Sequence, residues 1–167
     1  MRELMGAAPE TLARVCRLLD RLELRYLQLP DSPIGVGIGV SFGESGFEVI
    51  SVIGPPSDQS VKLTAGIARD VPQDRLQILD LCNRHTQELS QFPIYLHDAQ
   101  AGWDVLMQVD FPVQLLEDVP PFFLNVVQSL PPIAAQAREP FVEADCAGSP
   151  YEWTEADTTR LMLRSTM

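Results

Sequence analysis

Cys82 and His85 stand three residues apart in a segment with helical periodicity, a spacing that can present two ligands to one metal ion. A zinc site needs further donors, and Cys16, His97 and Cys146 are the remaining sulfur and nitrogen candidates. None has a partner at motif spacing, and Cys82 falls on the apolar side of its helix, where a thiol packs as a small hydrophobe. The expectation is therefore no bound metal and no cofactor. The run Gly35-Val36-Gly37-Ile38-Gly39 has the first two glycines of a dinucleotide fingerprint. Val40 or Phe42 then stands where the third glycine belongs, and a strand rather than a helix follows. Close packing of another backbone or side chain accounts for those glycines. Nucleophilic catalysis lacks its partners too: there is no G-x-S-x-G, and neither histidine has a paired nucleophile nearby. Asp98, Asp104, Asp110, Glu117 and Asp118 are numerous enough for an acid/base pair but read as solvated carboxylates in or beside turns. No catalytic constellation is visible, and the chain reads as a binding module rather than an enzyme.

Two patterned features suit recognition instead. Arg14, Arg17, Arg21 and Arg25 follow one another at intervals of three, four and four, so they line one side of the first helix, away from its apolar arc. Either the strip is a solvated face, with Glu10 pairing Arg14, or its planar forks hold carboxylates of a partner. The second feature is the apolar face that begins at Phe122, Phe123 and Val126. Arg14, Arg17, Arg21, Phe122, Phe123 and Val126 are the candidate partner-binding residues.

Composition narrows the partner. The net charge of −11 repels polyanions over most of the surface, which disfavours nucleic acid. No apolar run is long enough to span a bilayer, and the N-terminus lacks the basic-then-apolar pattern of a secretory signal. Three cysteines at irregular spacing do not form a disulfide framework and point to a reducing, cytoplasmic setting. The 167 residues fit one domain able to bury its own core.

The elements that must position these residues follow from periodicity. Pro9-Glu10 opens a helix reaching about Leu24, and Tyr26 to Leu29 is extended up to the Pro30 stop. Val36, Ile38, Val40 and Phe42 alternate with small residues, a turn at Gly43–Gly46 follows, and Phe47 to Ile53 returns. After a loop at Gly54–Asp58, Val61 to Ala68 forms a third strand, and Val71-Pro72-Gln73-Asp74 opens a second helix ending near Leu89. That helix is apolar over more than half its circumference. Phe92 to His97 and Trp103 to Phe111 form a second hairpin. From Val119-Pro120-Pro121 an amphipathic helix keeps its apolar face in register across Pro131-Pro132, as one kinked helix or two coaxial ones. The fold class is α+β, in the order α-β-β-β-α-β-β-α. Its antiparallel sheet has about five strands, with helices on one face.

Leu81-Cys82-Asn83-Arg84, Ile94-Tyr95-Leu96-His97-Asp98, the strand Trp103 to Val109, Asp110-Phe111-Pro112 and the helix from Pro121 together resemble the YbjN family. They also resemble the wider type III secretion chaperone-like superfamily, some of whose members are described as bacterial sensory-transduction regulators. The resemblance covers roughly residues 9–141. It implies a chaperone-like α+β fold, homodimerisation and binding of other polypeptides. The expected organisation is an N-terminal extension over 1–8, one domain over 9–141 and an acidic tail over 142–167. Function is expected to be non-enzymatic capture of a polypeptide client, or adaptor work. The alternative is a homodimeric regulatory domain that senses a small ligand; an enzyme whose site forms only in three dimensions is a more remote one. The two wide apolar helix faces exceed what one small sheet is expected to cover, which argues for a homodimer.

Overall fold

A computed structural model describes residues 10–28, 35–44, 46–53, 60–89, 92–99, 101–143, 145–146, 154 and 156. The extension over 1–8, the Pro30 stop, the Gly54–Asp58 loop and nearly all of the acidic tail beyond Cys146 lie outside the described residues. The elements are α1 (Glu10–Arg21), β1 (Tyr26–Gln28), β2 (Gly35–Phe42), β3 (Gly46–Ile53), β4 (Ser60–Val71), α2 (Arg75–Leu89), β5 (Ile94–Asp98), β6 (Trp103–Pro112), α3 (Val113–Asp118) and α4 (Pro120–Val142).

The strands form one open, wholly antiparallel sheet in the order β1-β2-β3-β4-β6-β5. It has six strands rather than about five, because Tyr26–Gln28 pairs with Val36–Ile38 along the edge of β2. Three residues are too short a stretch to show an alternation. The bulky residues of β2 fall into one cross-strand layer: Val36 opposite Val52, Ile38 opposite Ile50, then Leu63 and Val109 further across. This is the core face, against which Val15, Leu18, Leu19, Phe123, Val127 and Leu130 are buried. The opposite face is also buried along its centre, where Ser51, Thr64 and Gln108 stand side by side on β3, β4 and β6. That polar row has no counterpart in a reading that puts all the bulk on one side.

Helix ends follow local chemistry. α1 stops at Arg21 because Glu23 turns left-handed at φ 55. The Leu24 N–H then bonds back to the Leu19 carbonyl and the Glu23 N–H to that of Asp20. This six-to-one plus five-to-two pattern is a Schellman closure, with glutamate where glycine is usual. α2 starts after Asp74, whose carboxylate accepts the Leu76 N–H at 3.3 Å. Leu76 itself is 73% exposed, so the wide apolar arc expected of α2 is only partly covered; Ile78 and Cys82 carry its buried side.

α4 is one helix of 23 residues despite Pro131, Pro132 and Pro140 within it. Each proline removes a hydrogen bond, but Phe123, Val126, Val127, Leu130, Ala134, Ala137 and Phe141 stay buried along one side throughout. Packing on the sheet sustains the helix where its backbone alone would not. α3 was not anticipated. Six residues between Pro112 and Pro120 are too few for a periodic signal, although Val113 and Leu116 do mark a buried side.

β4 is irregular at its far end. Its register with β6 shifts between Gly66 and Ala68 and again between Ala68 and Val71, and Asp70 sits at φ 48. The Asp104 carboxylate accepts the Asp70 N–H at 3.0 Å and so fixes the deformed segment. Gly102 lies so close that a Cβ there would run into the Val71 carbonyl, which explains a glycine in this hairpin. Just beyond α4, the Cys146 carbonyl accepts the Arg69 N–H at 3.1 Å.

Candidate functional site

α1 presents two unlike sides. Val15, Leu18 and Leu19 point into the core, while Arg14, Arg17 and Arg21 face outward. α3 runs alongside with Val113 and Leu116 buried, which leaves Glu117 outward and next to α1. Arg14 crosses between the helices: its Nε donates to Glu117 Oε1 at 2.7 Å, and its Nη2 lies 2.6 Å from Oε2. Two parallel bonds from one guanidinium to one carboxylate are the strongest form of this contact. Glu10 was the expected partner of Arg14, but its side chain lies outside the described residues. Arg14, Arg17, Asp20, Arg21 and Glu117 together line an open depression of about 570 Å³.

The electrostatics of the depression centre on Glu117. Its carboxyl is held below the usual glutamate range, first by the hydrogen bond from Arg14, then by the charges of Arg14, Arg21 and Arg17, against an opposing effect of desolvation. The Arg17 and Arg21 side chains are exposed and make no hydrogen bond or ion pair among the described residues. Asp20 is engaged on the other side by the Tyr26 hydroxyl, which donates to it at 3.1 Å. Among the described residues that line it, three guanidiniums thus stand against two carboxylates, on a protein of net charge −11.

The three apolar candidates separate. Phe123 is fully buried, edge-on to Phe111 with ring centroids 5.4 Å apart, and Val126 is buried beside it. Both belong to the core and cannot touch a partner directly, because α4 lays that side on the sheet. Phe122 leans on Phe111 at 5.4 Å yet remains 49% exposed. It follows Glu117 by five positions, across the α3–α4 junction, with exposed Val119 between them. Val119 and Phe122 are thus the exposed large apolar side chains of the α3–α4 junction.

The other chemical candidates are dispersed. Asp104 is used by Asp70, Asp110 lies 3.9 Å from Lys62, and no cluster of three His, Cys, Asp or Glu side chains placed to hold a metal ion occurs among the described residues. The His85 side chain lies outside them. Burial pushes the Cys82 thiol up to about 11, and burial is likewise the main cause that raises Cys16. A smaller cleft of about 170 Å³ between α2 and the end of α4, edged by Gln73, Leu81 and Phe141, gathers no such group.

Sequence reasoning found the arginines but not their carboxylate. Glu117 appeared there only as one of several turn acids, since its role depends on α3. The available signal was a pair of apolar residues three apart, bracketed by prolines and followed by two acids. No helix among the described residues is long and apolar enough to cross a membrane. No known family model, curated protein or solved structure matches the chain.

Proposed function

We propose that this protein is a non-enzymatic binding module, chaperone-like or adaptor-like, which holds a segment of another polypeptide on the surface made by α1, α3 and the start of α4. The observation that carries the reading is the set of three guanidiniums of α1 that line one open depression with Glu117, with exposed Val119 and Phe122 following Glu117 in the chain. Arginine forks and an aromatic anchor are the residue types over-represented at binding hot spots. The resemblance to the YbjN and type III secretion chaperone-like proteins supports the same reading. So does the spread of ionisable side chains over many separate local contacts. No cofactor is required, and the setting is cytoplasmic.

Self-association into a homodimer belongs to the proposal on the same resemblance. The apolar face of α4 no longer argues for it, since that face is buried within the chain. Light scattering at micromolar concentration decides the matter: a monomer removes the dimer from the proposal.

The binding surface is tested by capture. Wild type and the double variant Arg17→Glu/Arg21→Glu, both checked for folding, are used to recover partners at low and at physiological salt. These two substitutions leave the Arg14–Glu117 bridge in place. Partner recovery is expected to fall sharply for the variant, and most at low salt, where screening is weakest. Equal recovery by both proteins would reduce the strip to a solvated face.

A further inference from the structure

Glu117 engages Arg14 in the manner of an intermolecular recognition contact. The bonds are side-on and paired, and the two residues are 103 positions apart, on helices brought together only by the fold. Both side chains remain open to solvent, at 31% and 49%. An exposed pair of this kind exchanges at little cost, because water and a second carboxylate can replace either member. Arg17 and Arg21 contribute to the field at Glu117 without bonding to it. Among the described residues the cluster therefore already holds one carboxylate, and the Arg17 and Arg21 guanidiniums are bonded to none.

We infer that Glu117 is a built-in competitor: it occupies the arginine cluster in the free protein and yields to an acidic segment of the partner that carries an apolar side chain for Phe122. The inference rests on the proposed binding function and specifies both its ligand chemistry and its regulation. The ligand class is carboxylate because the site already binds one with both oxygens satisfied. A single acid from outside merely exchanges with Glu117 and gains little. Two or three carboxylates also engage Arg17 and Arg21, which Glu117 leaves unbonded, and so they win. Self-occupancy thus filters for clustered acids, much as an equilibrium with a closed state lowers apparent affinity by the occupied fraction. Val119 and Phe122, just past Glu117 in the chain, add an apolar contact that a purely polyanionic ligand would not use.

The probe is a fluorescein-labelled peptide of glutamates around one central phenylalanine, with a serine-for-glutamate version as control, followed by anisotropy at low salt. Glu117→Gln keeps the shape and one acceptor but removes the charge. Its affinity for the acidic peptide is expected to exceed wild type by about three- to tenfold, the scale set by releasing one exposed carboxylate. Glu117→Ala should show the same direction. Asp118→Asn, which makes the same change in net charge one residue away, should leave affinity near wild type. Arg17→Glu/Arg21→Glu should abolish binding. If the two Glu117 variants bind no better than wild type while the arginine variant still loses the peptide, the competitor role is overturned and the binding surface stands. If the arginine variant binds as wild type does, or nothing binds the acidic peptide in preference to the serine control, the binding surface falls and the competitor with it.

Discussion

Two arginine–glutamate pairs lie near the two ends of α4, and they behave as different devices. Arg14 and Glu117 meet on the surface between α1 and α3, with both side chains substantially open to water. Arg138, near the end of α4, reaches Glu48 on β3 at 2.7 Å with side chains only 23% and 10% exposed. It also donates to the carbonyls of Gly66 and Ile67, the stretch where β4 loses register with β6. The first contact can be traded for water or for another carboxylate. The second cannot, because removing Arg138 strands a buried charge and two backbone acceptors. Identical chemistry is thus exchangeable or architectural according to burial.

The largest effect expected is from breaking the buried pair at one end. Arg138→Met should cost about 3–5 kcal/mol in chemical denaturation, because Glu48 is left without a counter-charge. Loss comparable to an exposed pair would erase the contrast. Adding Glu48→Leu to Arg138→Met should recover most of that loss, since a desolvated pair replaced by apolar groups is often near neutral. No recovery would mean that the two backbone carbonyls, rather than Glu48, set the cost. At the exposed pair, Arg14→Met should cost less than about 1 kcal/mol, because solvent takes over both of its roles. The smallest signal is in acid. The Glu117 carboxyl is depressed, so whatever stability its bridge gives is present above the ordinary glutamate range and is lost as pH falls through the lower folded value. A carbon-detected NMR titration should place the Glu117 midpoint below that of free glutamate, and Arg14→Met should move it upward.

The same contrast shows what the sequence makes legible. The alternation of Val36, Ile38 and Val40 defines β2 and its partner because that pattern is local and repeated. The α4 face survives Pro131-Pro132 in the sequence, and Pro140 as well in the fold, since periodic burial overrides a few lost hydrogen bonds. The arginine strip of α1 is visible for the same reason. What escapes is whatever depends on distant partners or on very short elements. Arg138 and Glu48 are 90 positions apart and neither lies in a motif. α3 is too brief to announce itself, and without it Glu117 has no reason to face Arg14. Phe123 and Val126 read as partner residues in the sequence because helical periodicity reports an apolar side but not what covers it.

The seat of Arg138 has a kinetic consequence. β1 to β4 pair each with the next in sequence, so that meander can assemble through short closures. β4 meets β6 across a longer separation, Thr64 with Gln108 at 44 positions, and Arg138 reaches Gly66 across 72. Contacts of such separation form late, since chain closure must precede any reward. A lock engaged after the rate-limiting barrier slows escape without hastening arrival. In chevron measurements Arg138→Met should therefore steepen its toll on the unfolding limb and leave refolding rates nearly untouched, making this one guanidinium the timer of the native state's lifetime.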